Sequence, residues 1–325
     1  MKIMVVGYGS MGRRRIRLSR ELYPDAEYLC VDSNPTRIEE IKKDGYMAFV
    51  SLDEAIKEKP NVAFVCTSPG HHADIILQLI EEGIDTFTEL NLVSDRYDEI
   101  IELAFQKNVH VFMSSTMLYD AQVAAIENEI KKTDETLTYI YHVGQYLPDW
   151  HPWESYKEFF IGNKETNGCR EIYAIQLPWI IDAFGPIKDM TCLSKKSTQL
   201  EIDYNDTYIT TFDHENGTHG VMIVDVLARQ ATTYFEVMGE HIHIKWNGSP
   251  ESLQFFDLET GEMRILDSYD QIEHIDGYAD TINENEYLDE IIAFFNWIND
   301  GVQPKYTLQN DKYTLDIIDR IEGIK

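Results

Sequence analysis

From residue 2 to about residue 115, short runs of β-branched and other apolar residues alternate with stretches in which apolar positions recur every three or four residues. The runs at 3–6, 28–31, 48–50, 62–66, 86–88 and 109–113 predict strands. Between them, Ser51 and Glu54 form a capping box, Pro35 suits a first helical turn, and Ile75, Ile76, Leu79 and Ile80 give a helix its buried face. Such alternation predicts a parallel sheet covered by helices on both sides, a doubly wound α/β fold.

Beyond residue 120 the period changes. After a linking helix at 121–131, runs at 200–212 and 221–227 flank Asn216-Gly217, and runs at 241–246 and 253–258 flank Asn247-Gly248, so an open and mainly antiparallel sheet is expected. Helices at 283–299 and 308–322 end the pattern. The expected division is a Rossmann domain over 1–120 and an α+β domain for substrate binding and dimerisation over 121–325, with the last helices able to pack back on the first domain.

The segment Gly7-Tyr8-Gly9-Ser10-Met11-Gly12 fits G-x-G-x-x-G and lies directly after the first strand, at the opening of a helix. There Gly7 permits a tight turn, Gly9 lets backbone approach a pyrophosphate, and Gly12 allows close packing of helix on strand, while the helix amides offer donors to the anion. Asp32 ends the second strand twenty residues later, with Ser33 beside it, where a carboxylate accepts hydrogen bonds from ribose hydroxyls. A carboxylate there repels a 2′-phosphate, so NAD is the expected cofactor and NADP the less favoured one. Arg37 and the run Arg13-Arg14-Arg15 are either compensating cations or solvated helix-surface residues.

Composition narrows the classes. A chain of 325 residues with 43% hydrophobic content suits two folded domains, and a formal charge of −29 disfavours nucleic acid and anionic membrane as partners. Cys30, Cys66, Cys169 and Cys192 are far apart and read as reduced packing residues; with no run approaching the roughly 20 apolar residues of a bilayer span, a cytoplasmic protein is expected. His241 and His243 share a strand face with Lys245 but lack a third ligand nearby, so no metal site is expected.

Residues 1–120 resemble the Gfo/Idh/MocA family of NAD(P)-dependent sugar and polyol oxidoreductases. Besides the glycine loop, Cys66-Thr67-Ser68-Pro69-Gly70-His71-His72 is similar to the family's strand-end threonine-proline segment, and Thr86-Phe87-Thr88-Glu89-Leu90-Asn91-Leu92 to its Glu-Lys-Pro segment. Residues 287–301, from Tyr287-Leu288-Asp289-Glu290-Ile291 through Phe294 to Gly301, resemble its penultimate helix. The resemblance implies that Thr67, Ser68, Pro69, His72, Glu89 and Asn91 line the nicotinamide end, and that the antiparallel sheet offers a face for a homodimer or homotetramer.

Two departures bear on activity. Leu90 stands where the family has its lysine, and the family's aspartate and histidine positions fall on Glu171 and on Ile175, or Gln176 with a slip of one. The candidate replacements for acid–base work are Glu171, His151 and Tyr119. The segment 146–156 sets Trp150 and Trp153 among acidic and imidazole groups, suiting a carbohydrate's C–H surface and hydroxyls, although packing or dimer contact fits those tryptophans equally. Arg170 holds an anionic substrate group or pairs with Glu171, and Gln176 is a further substrate contact. The expected function is an NAD-dependent oxidoreductase of a sugar, amino sugar or nucleotide-linked sugar; the alternative is an NAD-binding regulator that has lost the chemistry.

Overall fold

In the computed structural model, which describes residues 1–150, 155–266 and 284–324, strands and helices alternate through the N-terminal third. They are β1 (Lys2–Val6), α1 (Ser10–Leu22), β2 (Glu27–Val31), α2 (Pro35–Lys43), β3 (Met47–Phe49), α3 (Leu52–Ile56), β4 (Val62–Val65), α4 (His72–Glu81), β5 (Asp85–Thr88), α5 (Tyr97–Lys107) and β6 (Val111–Met113). The six strands pair in parallel in the order β3-β2-β1-β4-β5-β6, so the chain reverses direction across the sheet between β1 and β4. Ile3, Met4 and Val5 are wholly buried because β1 is central and covered on both faces, which is why its run is continuously apolar rather than alternating. Asn34 and Ser51 cap α2 and α3 by accepting the amides of Thr36 and Glu54.

The next region comprises α6 (Ala121–Ile130), β7 (Thr138–Gly144), α7 (Gly168–Phe184), β8 (Ile187–Lys195), β9 (Thr207–His214), β10 (His219–Asp225), β11 (Thr232–Met238), β12 (His243–Trp246), β13 (Gln254–Asp257) and β14 (Glu262–Ile265). Its eight strands are ordered β14-β13-β12-β11-β7-β10-β9-β8, antiparallel at every described pair except β7 with β10. The hairpins expected at Asn216-Gly217 and Asn247-Gly248 form, with both glycines in the left-handed region. The strand expected over 200–212 begins only at Thr207. Buried Asp206 accepts the amides of Ser197 and Thr198 and the Thr198 hydroxyl, folding the preceding residues into a loop.

Helix α7 opens on Asn167, whose side chain accepts the Arg170 amide, and ends at Gly185 with φ +83°. It buries Tyr173, Leu177, Trp179 and Phe184, and the Trp179 ring meets Tyr141 and Phe235 edge-on at 5.2 and 5.0 Å, fixing helix to sheet. Two helices follow, α8 (Asn285–Asp300) and α9 (Leu308–Ile321).

Two compact units result, one of Met1–Thr116 with Tyr287–Tyr313, the other of Met117–Glu286 with Thr314–Lys325. In the first, Phe294 of α8 meets Phe64, Phe87 and Phe112 at ring separations of 5.9, 5.8 and 5.9 Å, so the C-terminal segment completes the core beside the parallel sheet.

Candidate functional site

Gly7 carries φ +98°, a conformation open to glycine but strained for other residues, and a Cβ there would lie 2.7 Å from the Cys66 carbonyl oxygen. A Cβ on Gly12 would come within 2.0 Å of the Gly7 carbonyl oxygen, so glycine is what lets α1 approach β1. Gly9 is different: its φ of −82° is ordinary, and the atoms nearest an added Cβ would belong to the side chain of Arg37, at 3.3 Å. Its missing side chain therefore serves space above the loop. Helix α1 begins there with no side-chain cap and no acidic residue in its first turn, leaving its positive end without a carboxylate of its own. Backbone donors in a cradle without side chains fit a pyrophosphate.

Asp32 lies beside the loop. Its Oδ2 accepts the Tyr8 amide at 2.9 Å and its Oδ1 the Asn34 amide at 2.8 Å, which leaves Oδ1 a lone pair for a ribose hydroxyl. Arg37 reaches Asp32 at 3.5 Å, so a cation stands next to the carboxylate. Ser10 and Ser33 are exposed and Met11 is half-buried beside this cradle, whereas the Tyr8 ring points inward and its hydroxyl donates to Asp44. Burial, with Asp44 adding to it, pushes that phenol far above its usual range. Tyr8 thus contributes backbone only.

The arginine run divides. Arg13 is half-exposed and pairs with Glu40, but Arg14 is buried under the Tyr287 ring and Arg15 is 0% exposed. Arg15 bonds Glu89 at 2.5 Å and Glu290 at 2.8 Å, so it is neither a phosphate cation nor a solvated residue. Glu89 and Asn91, expected at the nicotinamide end, are themselves held from within the unit, Asn91 donating to the Tyr97 hydroxyl at 2.8 Å. His72 is wholly buried, with Nε2 donating to the Thr67 carbonyl at 2.8 Å; burial pulls its pKa below the ordinary value, so the ring is a neutral strut of the loop. Ser68 is exposed, Pro69 buried, and the Thr67 hydroxyl is enclosed without a hydrogen-bond partner. Leu90 is half-buried.

In the second unit, Glu171 sits in the first turn of α7. Its Oε2 is shut off from solvent with no hydrogen-bond partner, and desolvation pushes the carboxyl up to about 8, so it carries its proton at neutral pH. Tyr119 lies half-buried in a turn just before α6. Beside it Asp120 caps α6 by accepting the Val123 amide, and burial raises its pKa to about 6. Trp150 donates its indole N–H to the Gln145 carbonyl at 3.0 Å. Arg170 does not pair with Glu171. It is buried and bonds Asp319 at 2.7 Å and Glu322 at 2.5 Å, which fastens α7 to α9 rather than to a ligand. The Gln176 carbonyl accepts both the Tyr141 hydroxyl at 2.5 Å and the Trp179 indole at 3.1 Å, so this side chain ties helix to sheet. His151 and Trp153 lie outside the described residues. His241 and His243 bond Glu135 and Glu236, each at 2.7 Å, and among the described residues no three His, Cys, Asp or Glu side chains cluster as a metal site. No helix there is long and apolar enough to cross a membrane.

Residues 1–115 match the model of an oxidoreductase family with an NAD-binding Rossmann fold, Gfo/Idh/MocA. Human biliverdin reductase A is 27% identical over 135 residues, 41% of this chain and 45% of that protein, so the match spans less than half the length of this curated relative. Among solved structures, an Agrobacterium radiobacter oxidoreductase in complex with NAD+, L-tartaric acid and magnesium superposes with a TM-score of 0.83 at 11% identity, over 99% of this chain and 96% of that one. A levoglucosan dehydrogenase in complex with NADH does so with a TM-score of 0.80 at 16% identity, over 100% and 96%.

Proposed function

We propose, for a chain whose first 115 residues are an NAD-binding Rossmann region of the Gfo/Idh/MocA oxidoreductase family, that the whole protein is an NAD-dependent oxidoreductase of a carbohydrate-type small molecule. The observation that carries the reading is the cradle of Gly7, Gly9 and Gly12 at an uncapped helix start, with Asp32 beside it. When bound, NAD supplies a carbon that accepts or gives up hydride. The chain's own part is to hold the pyrophosphate on loop amides, orient the adenosine ribose through Asp32, and hold a proton. Glu171 is the proton-holding group: an unpartnered carboxyl with a pKa near 8 can give up a proton and regain it around neutral pH.

The carbohydrate class is supported by the aromatic Trp150 near the start of α7 and by the levoglucosan dehydrogenase likeness. Leu90, in place of a lysine that polarises the reacting oxygen, favours a second reading, an NAD-binding regulator without turnover. One experiment separates them: titrate with NADH and NADPH by calorimetry, then follow nicotinamide absorbance against a panel of sugars, keto-sugars, nucleotide sugars and biliverdin. Turnover of a carbohydrate supports the proposal. NADH binding without turnover on any compound supports the regulator, turnover of biliverdin alone overturns the carbohydrate class, and absence of dinucleotide binding overturns both readings.

A further inference from the structure

The second unit holds a cation that the chemistry above leaves unused. Arg229 is exposed, and its guanidinium carbon lies 3.8 Å from the centre of the half-buried Tyr146 ring, at stacking distance. Many arginines of this acidic chain hold a carboxylate: Arg13, Arg15, Arg37, Arg96, Arg170 and Arg264 each have one. Among the described residues, none pairs with Arg229. A guanidinium stacked on an aromatic face keeps its in-plane N–H groups directed outward, where they match two oxygens of one anion.

The stack is built into the backbone. β10 ends at Asp225, whose Oδ1 accepts the amides of Leu227 and Ala228 at 3.0 and 2.8 Å while Oδ2 bonds His142 at 2.7 Å. Burial would raise this carboxyl's pKa, but these bonds outweigh it and hold it below its ordinary value, so Asp225 stays ionised and fixes the turn before Arg229. On the other side, the Tyr146 amide donates to the Ala228 carbonyl at 2.7 Å and the Leu147 amide to that of Val226 at 3.0 Å. The same corner holds the start of α7: a Cβ on Gly168 would touch Leu147 and Val226 at 3.0 Å and Trp150 at 3.4 Å, and Glu171 follows three residues later.

We propose that Arg229, stacked on Tyr146, is an oxyanion-recognition site that restricts the substrate to a carbohydrate bearing a carboxylate or a phosphate. This rests on the oxidoreductase reading and narrows its substrate class.

The test is calorimetry on the protein with and without NADH, using D-glucuronate, D-glucose 6-phosphate and D-glucose as probes. One of the two anions is expected to bind about tenfold or more tightly than D-glucose, and which one does identifies the anion. R229Q is expected to abolish that preference, R229K to restore part of it through charge alone, and Y146L to weaken it, with NADH affinity unchanged in all three. Equal binding of all three probes, binding of none, or an undiminished preference in R229Q overturns the proposal. Loss of NADH binding in the parent protein would instead overturn the cofactor reading alone, since the anion preference is also measured without it.

Discussion

Arg15 donates its Nε to Glu89 at 2.5 Å while its Nη2 donates to Glu290 at 2.8 Å, so one enclosed guanidinium serves two carboxylates from elements distant in sequence. Glu290 also accepts the Ser114 hydroxyl and the Ser115 amide, and the guanidinium lies 4.4 Å from the centre of the Phe87 ring. Removing the cation would leave both acids in a medium that tolerates charge poorly. Arg15→Met is therefore expected to cost roughly 3–5 kcal/mol in urea unfolding, whereas Glu290→Gln, which leaves one cation with one anion, is expected to cost clearly less. Equal losses would show that the second carboxylate is as necessary as the arginine.

Gly9→Ala and Gly12→Ala separate space for a ligand from space for the fold. The Gly9 variant is expected to keep the parental melting temperature within a few degrees and to lose about tenfold or more in NADH affinity, because the atoms nearest its methyl group belong to a movable arginine. In the Gly12 variant the methyl would collide with the Gly7 backbone, so folding itself is expected to suffer. Fluorescence titration beside thermal melts reads both, and a Gly9 variant that binds NADH normally would contradict the proposed pyrophosphate position.

Cofactor choice is expected to follow the pair Asp32 and Arg37. Asp32→Ala should weaken NADH binding by about tenfold, since ribose hydroxyls lose their acceptor, while improving NADPH relative to NADH. Adding Arg37→Ala should remove that gain, because Arg37 is the cation nearest the vacated carboxylate. Parallel titrations with both dinucleotides provide the check.

Glu171 predicts a pH dependence of definite sign. Its folded-state pKa of about 8 lies above its ordinary 4.5, so the folded chain retains the proton longer than the unfolded one. The stability linked to that proton is fully present below about 4.5 and is lost as pH rises through about 8. Melting temperatures of the parent should consequently fall relative to Glu171→Gln across pH 5 to 9. If the carboxyl also transfers the proton in turnover, the glutamine variant should lose about 10²- to 10⁴-fold in rate. A pH-independent difference between the two melting curves would refute the raised pKa.

The parallel sheet was readable because central strands such as β1 must be apolar on both faces, and because the glycine loop falls between a strand and a helix. The edges were less so. β8 carries Lys188, Asp189 and Lys195 on a mostly exposed strand with no clean alternation, and the run before β9 alternates apolar and polar residues as a strand would yet is folded into a loop by a single buried aspartate. Charge pairing was the least legible feature. Nothing local in the sequence points Arg15 or Arg170 to its partner, because Glu290 and Asp319 lie 275 and 149 positions away. Arg229 carried no signal either: only the Tyr146 ring beneath it, 83 residues earlier, sets it apart from any loop arginine.

Because the unit that contains the glycine loop is finished by residues 287–313, it cannot complete its core until the ribosome has made the intervening second unit. Until residue 294 emerges, Phe64, Phe87 and Phe112 lack their aromatic cover and Arg15 has only one of its two acids. Nascent chains should accordingly recruit chaperones late into synthesis, and a fragment cut at residue 120 should be insoluble when expressed alone yet rescued by co-expression of the remainder.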